Sequence, residues 1–157
     1  MNIKLSKVKI GEKKILSNLL DEYLKELSKY KKIKEQYRYL DNYFSESNRY
    51  PFFIKLDDNI VGLALVNLRN PLSQGNKQAI SEFYIIPKYR NKGLRKIVAF
   101  KIFDMFRGKW VLRELETNPA TDFWKKVIEE YTHGDYQEFK QNDEKWKGKI
   151  QTFNNSI

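Results

Sequence analysis

Pro87-Lys88-Tyr89-Arg90-Asn91-Lys92-Gly93-Leu94-Arg95 decides how this chain is read. A strand-like run, Ala79 to Ile86, leads into it, and a helix-like run, Leu94 to Phe106, leads out. Between them lie one proline, one glycine and a set of basic side chains. A strand that ends in such a turn at a helix N-terminus suits a phosphate group. The backbone N–H groups of the first helical turn point at the anion, and the helix dipole favours negative charge. Gly93 lets the backbone approach closely because it carries no Cβ. Arg90 and Lys92 are placed to add charge-assisted hydrogen bonds.

Downstream, Leu94, Ile97, Val98, Ile102, Met105 and Phe106 are read as the buried face of the helix, which Gly108 stops. Trp110 to Glu116 is a strand. Asn118-Pro119 has the form of a helix start, with Asn as N-cap and Pro at the first helical position. Phe123, Trp124, Val127, Ile128 and Tyr131 give that helix its apolar side, and Gly134 ends it. Tyr136 to Lys140 and Lys145 to Phe153 read as a closing pair of strands.

Upstream, Phe52 to Leu56 and the nearly all-apolar Ile60 to Val66 flank Asp57-Asp58-Asn59 and read as an antiparallel hairpin, the second strand covered on both faces. Asn70 to Asn76 is a loop. Before the hairpin, Ile15, Leu16, Leu19, Leu20, Tyr23, Leu24 and Leu27 recur at helical spacing. A shorter helix is read over Glu35 to Phe44, and Ile3 to Ile10 is a first strand. The order β-α-α-β-β-β-α-β-α-β-β describes a mixed α/β fold with a mostly antiparallel sheet and helices on both faces. Nothing divides the chain, so a single domain over 1–157 is expected.

Composition narrows the function classes. There is no cysteine among 157 residues, which excludes a disulfide scaffold and thiolate metal sites. Lone His133 sits beside Gly134 without carboxylates at ligand spacing, so no metal is expected. The N-terminus lacks the apolar core of a signal peptide, and no apolar run is long enough to span a bilayer, so a soluble cytoplasmic protein with no membrane partner is expected. The net charge of +10 raises nucleic acid as a partner. The lysines are scattered through every segment, often beside Glu or Asp, as on ordinary solvated faces. A smaller polyanion suits the charge as well.

The element order, with this turn in this place, resembles the GNAT superfamily of N-acetyltransferases. The family signature Arg/Gln-x-x-Gly-x-Gly/Ala stands here as Arg90-Asn91-Lys92-Gly93-Leu94-Arg95. The wider run Glu82 to Gly93 looks like the family's acidic-apolar strand and its Pro-x-Tyr-Arg-x-x-Gly turn. Phe123-Trp124-Lys125-Lys126 stands in the place of its Phe-Tyr-x-x helix motif. One position departs: the last small residue of the signature is Arg95. A side chain there either crowds a pyrophosphate or supplies another cation.

The resemblance implies acetyl-CoA as cosubstrate and an amine-bearing small molecule or protein as acceptor. A homodimer is allowed. Phe83 to Ile86 would pair with the pantetheine arm, with Ile85 and Ile86 giving main-chain groups near the thioester. A main-chain N–H there would stabilise the oxyanion of the tetrahedral intermediate. Arg90, Asn91, Lys92, Gly93, Leu94 and Arg95 would hold the pyrophosphate, and Asn118 and Trp124 would lie against the cofactor. Asn118 reads first as a plain helix cap.

An attacking amine must lose a proton, and a carboxylate can take it directly or through a water. Glu82, which interrupts an apolar strand, is the candidate base; the alternative is a solvent-side carboxylate paired with a lysine. Burial would raise its pKa toward a useful range. The tyrosine that often protonates the leaving thiolate is replaced by Trp124, which cannot do so. Tyr131 and Tyr136 lie nearby in sequence, and helical spacing puts Tyr131 in the core. Tyr37, Tyr39, Tyr43, Phe44 and Tyr50, with Glu35, Asp41 and Glu46, could bind a cationic amine or be core and surface. Besides the acetyltransferase, a CoA-binding module without turnover and a basic nucleic-acid-binding protein remain open readings.

Overall fold

The structure, a computed structural model of the chain, describes residues 2–29, 37, 39–68, 77–90, 92–115, 122–144 and 146–157. They form two compact units, Met1–Asn67 with Ile80–Val98, and Leu68–Ala79 with Ala99–Ile157.

The first unit is built on a four-stranded sheet. Its strands are β1 (Ile3–Lys7), β2 (Arg49–Leu56), β3 (Asn59–Asn67) and β4 (Ala79–Ile85), in the order β1-β2-β3-β4. The β2–β3 hairpin turns on Asp57 and Asp58, both at positive φ (49° and 69°), with Leu56 paired to Asn59. Two central residues at positive φ are what a two-residue type I′ turn demands, and aspartate tolerates that region. β1 runs antiparallel to β2, from Ile3 opposite Leu56 to Lys7 opposite Phe52. β3 lies inside the sheet, and every residue from Val61 to Asn67 is buried, which is why its sequence is apolar without alternation. Helix α1 (Lys13–Leu27) lays Leu16, Leu19 and Leu20 on this sheet, and they pack with Val8, Phe53, Leu63, Leu65 and Tyr84. Burying a leucine of this kind contributes about 2 kcal/mol. Tyr43, on the short helix α2 (Asn42–Ser45), joins the same core, with Tyr23, Tyr37 and Leu40 against it.

The second unit holds an antiparallel three-stranded sheet of β5 (Lys109–Leu115), β7 (Lys147–Asn154) and β6 (Gln137–Asn142), in the order β5-β7-β6. Gln78 forms a parallel bridge to Trp110 of β5. Its core is aromatic. The Phe103 ring lies 5.1 Å from Trp110 and 5.0 Å from both Tyr131 and Phe153. Val127 and Ile128 of α4 (Phe123–Thr132) are buried, and α4 ends through His133 in the left-handed region with Gly134 following.

The element order agrees with the expected one, and three local expectations need correction. Of the helix expected over Glu35 to Phe44, the described residues are helical at Asn42–Ser45, while Tyr39, Leu40 and Asp41 form a turn closed by i→i+3 bonds; 30–36 and 38 lie outside the described residues. The N-cap of α4 is Asp122, not Asn118, so the helix begins four residues after the Asn-Pro pair. In α3 (Leu94–Met105) the buried residues are Leu94, Val98, Ala99, Ile102 and Phe103, while Ile97 and Met105 are exposed. Asn91, Asn118, Pro119 and the loop over 69–76 lie outside the described residues.

Candidate active site

β4 and the turn after it carry most of the expected site residues. Glu82 and Phe83 are not fully buried on β4, Tyr84 and Ile85 are buried, and Ile86 is half-buried at its end. The Tyr23 hydroxyl donates to Glu82 Oε1 at 3.1 Å and accepts from the Phe83 backbone N–H. Burial pushes the Tyr23 phenol well up, and the Glu82 charge adds to it, so the hydroxyl stays protonated and can donate. Tyr37 and Tyr43 stand close enough to Glu82 to feel its charge. Both phenols are raised, first by burial.

The turn is a single 3₁₀ turn, Pro87–Tyr89, then Arg90 in extended backbone, then Gly93 at φ 73° and the first turn of α3. A Cβ added at Gly93 would meet nothing within 4 Å. Glycine is therefore required there by φ and not by protein packing, and the space over the backbone stays open to a ligand. The Lys88 and Lys92 ammonium groups lie 5.0 and 5.7 Å from the Tyr89 ring centroid.

Arg90 is directed inward. Its Nη1 and Nη2 donate to Glu26 Oε1 and Oε2 at 2.8 and 2.7 Å, and its Nε donates to the Ile85 carbonyl at 2.8 Å. The guanidinium also lies 5.5 Å from the Tyr84 ring. The Ile86 N–H donates to the Val61 carbonyl at 2.8 Å and its carbonyl accepts from the Tyr89 N–H at 2.9 Å, so Ile86 anchors the turn to β3. Arg95 is partly buried beside the same group. Desolvation and then the Arg90 charge lower its pKa, while Glu26 and Tyr23 oppose that.

The Arg90 hydrogen bonds hold the Glu26 carboxyl below the usual glutamate range. A carboxylate held down in the folded state contributes stability that is complete above its unfolded pKa and is lost as pH falls through the folded value. Glu26→Gln is therefore expected to cost about 1 kcal/mol near neutral pH. The gap to wild type should close in acid, as urea denaturation at a series of pH values would show. A gap that persists in acid would contradict the pairing.

Tyr23 and Glu26, three residues apart on one face of α1, are the site residues that sequence reasoning missed as such. Tyr23 is part of the apolar stripe, and Glu26 has no local feature that points to Arg90, 64 positions away. In the second unit, half-buried Trp124 packs on Phe123 at 4.9 Å and on Phe103 at 6.4 Å. The Tyr131 hydroxyl donates to Asp104 at 2.7 Å and accepts from Asn155 at 3.1 Å, with its ring in the aromatic core.

A sequence profile described as the acetyltransferase (GNAT) family matches residues 16–144, a span that takes in most of α1 and all of β4, the turn and α4. The chain belongs to the acetyltransferase (GNAT) family. It is thereby an acyltransferase. No curated protein sequence matches the chain.

Solved structures agree on the fold of this GNAT chain. An acetyltransferase from Thermus thermophilus has a TM-score of 0.70 at 14% identity, covering 98% of this chain and 97% of its own. A spermidine N-acetyltransferase from Vibrio cholerae, solved with CoA and spermine, has a TM-score of 0.63 at 14% identity, covering 98% and 95%. An aminoglycoside acetyltransferase, solved with coenzyme A and kanamycin, has a TM-score of 0.68 at 10% identity, with the same coverage of 98% and 95%. At such identities the likeness is one of fold. Among the described residues, no helix is long and apolar enough to cross a membrane.

Proposed function

We propose that the protein is an N-acetyltransferase that moves an acetyl group from acetyl-CoA to a primary amine of a small molecule or protein, by direct attack with both substrates bound. The observation that carries this is the Arg90–Arg95 turn. It stands at the strand-to-helix junction of a GNAT chain, with Gly93 at positive φ and open space over its backbone. The first turn of α3 offers the pyrophosphate its N–H groups and dipole, and Lys92 offers a cation. Arg90 acts as the strut that holds the turn's shape through Glu26 and Ile85. Two of the similar structures are named for amine acceptors, which supports an amine here. The family match runs through residues of both units, which supports one catalytic domain.

In this reading the amine nitrogen bonds to the thioester carbonyl carbon, and the carbon–sulfur bond breaks. The amine proton passes to Glu82, directly or through a water, and the CoA thiolate takes a proton from solvent. Acetyl-CoA at a hundredfold excess over its Kd should stabilise the protein by about 2.7 kcal/mol, or about 5–10 °C in Tm. No shift at millimolar acetyl-CoA would count against the reading. Arg95, at a position that is small in the family signature, favours a second reading in which CoA binds without turnover. CoA release over a panel of amines separates the two.

A further inference from the structure

The geometry points to Tyr23 as the positioning residue for Glu82. A phenol has one proton to donate and lone pairs to accept with. Tyr23 uses both on adjacent residues of β4: it accepts from the Phe83 N–H and donates to Glu82 Oε1 at 3.1 Å. One hydroxyl thus fixes the carboxylate relative to its own strand. Tyr23 is itself held, its ring tilted on Tyr84 at 5.4 Å and packed on the core of the first unit. One helical turn on, Glu26 grips Arg90 with both oxygens, so α1 is tied to β4 at Glu82 and to the turn beyond its end. A carboxylate that must meet an amine proton within hydrogen-bond reach gains from such support.

Among the described residues, the groups that face Glu82 include Tyr23 of α1, Tyr37, and Tyr43 of α2, with Ser81 and Arg49 beside Tyr43. Glu26, Arg90 and Arg95 lie around Tyr23. The Tyr23 hydroxyl reaches the Glu82 carboxylate at hydrogen-bond distance, 3.1 Å.

The test is Tyr23→Phe, which removes the hydroxyl and keeps the ring. A hydrogen bond donated to a carboxylate favours its charged form, so its loss should move the ¹³C NMR titration of the Glu82 carboxyl up by about one pH unit. Glu82→Gln assigns that signal. The inference rests on the acetyltransferase reading only in its kinetic arm. There, kcat should fall about tenfold, the acidic limb of the pH–rate profile should move up with the titration, and the KM for acetyl-CoA should hold. In a Glu82→Gln background the same change should cost nothing further. A folded Tyr23→Phe protein whose Glu82 titration does not move overturns the inference, even if kcat falls. A wild type that turns over no amine sinks the acetyltransferase reading instead, and the titration still decides on Tyr23.

Discussion

Glu82→Gln is expected to lower kcat for amine acetylation by about 10²–10⁴-fold, the usual contribution of a positioned general base. That range corresponds to about 2.7–5.5 kcal/mol of barrier. Glutamine has the same shape, and its amide oxygen can still accept from Tyr23, so the surroundings of β4 should hold. What is lost is the ability to take a proton. The loss should therefore fall on kcat and on kcat/KM for the amine, leave the KM for acetyl-CoA unchanged, and abolish the acidic limb of the pH–rate profile. Steady-state kinetics of the variant over a pH series checks this. A rate within about threefold of wild type, less than one tenfold step in the barrier, with the limb intact, would remove Glu82 from the mechanism.

Gly62→Ala should be among the most destabilising single changes in the first unit. Gly62 lies in β3 opposite Ile54, beside the register shift between Ile54 and Lys55. A Cβ there would stand 2.1 Å from the Tyr84 carbonyl oxygen and 3.1 Å from Ile85 Cα. The colliding atom is backbone, not the end of a flexible side chain. The strand holding it is fixed by the Ile86 N–H bond to Val61 at 2.8 Å, so there is no cheap relaxation. Overpacking of this kind costs about 3 kcal/mol or more, which corresponds to about 6–12 °C in Tm. Because the displaced residues follow directly on Glu82 and Phe83, activity should fall with stability. A Tm within about 2 °C of wild type, which is less than about 1 kcal/mol, would show that β4 moves freely away from β3.

Much of the fold was legible because its signals are local. The Asp57-Asp58-Asn59 turn between two apolar runs, the α1 stripe and the strand before the basic turn each follow from residues within a few positions of one another. Degenerate local signals do not fix the fold. α3 is apolar at Leu94, Ile97, Val98, Phe100, Ile102, Phe103 and Met105, so periodicity alone could not choose its buried phase, and Ala99 and Phe103 are inside while Ile97 and Met105 are not. Asn118 and Asp122 both suit a cap, and only the folded chain selects Asp122. Tyr37 and Leu40 have helical spacing, yet they reach the core from outside any described helix. At the candidate site, the turn and Glu82 stand out from residues next to one another in the chain. Their partners do not, because Tyr23–Glu82 and Glu26–Arg90 join residues 59 and 64 positions apart. Such pairs carry no periodicity or spacing that a single sequence exposes.

The protein is expected to transfer an acetyl group from acetyl-CoA to an amine. The chain has no cysteine, so a thiol reagent added to the reaction reports the CoA thiol alone. Wild-type protein with acetyl-CoA and a panel of primary amines should release CoA in proportion to enzyme with at least one amine, and Glu82→Gln should lose that release. No CoA release above the enzyme-free rate with any amine, from protein that is folded, would contradict the account.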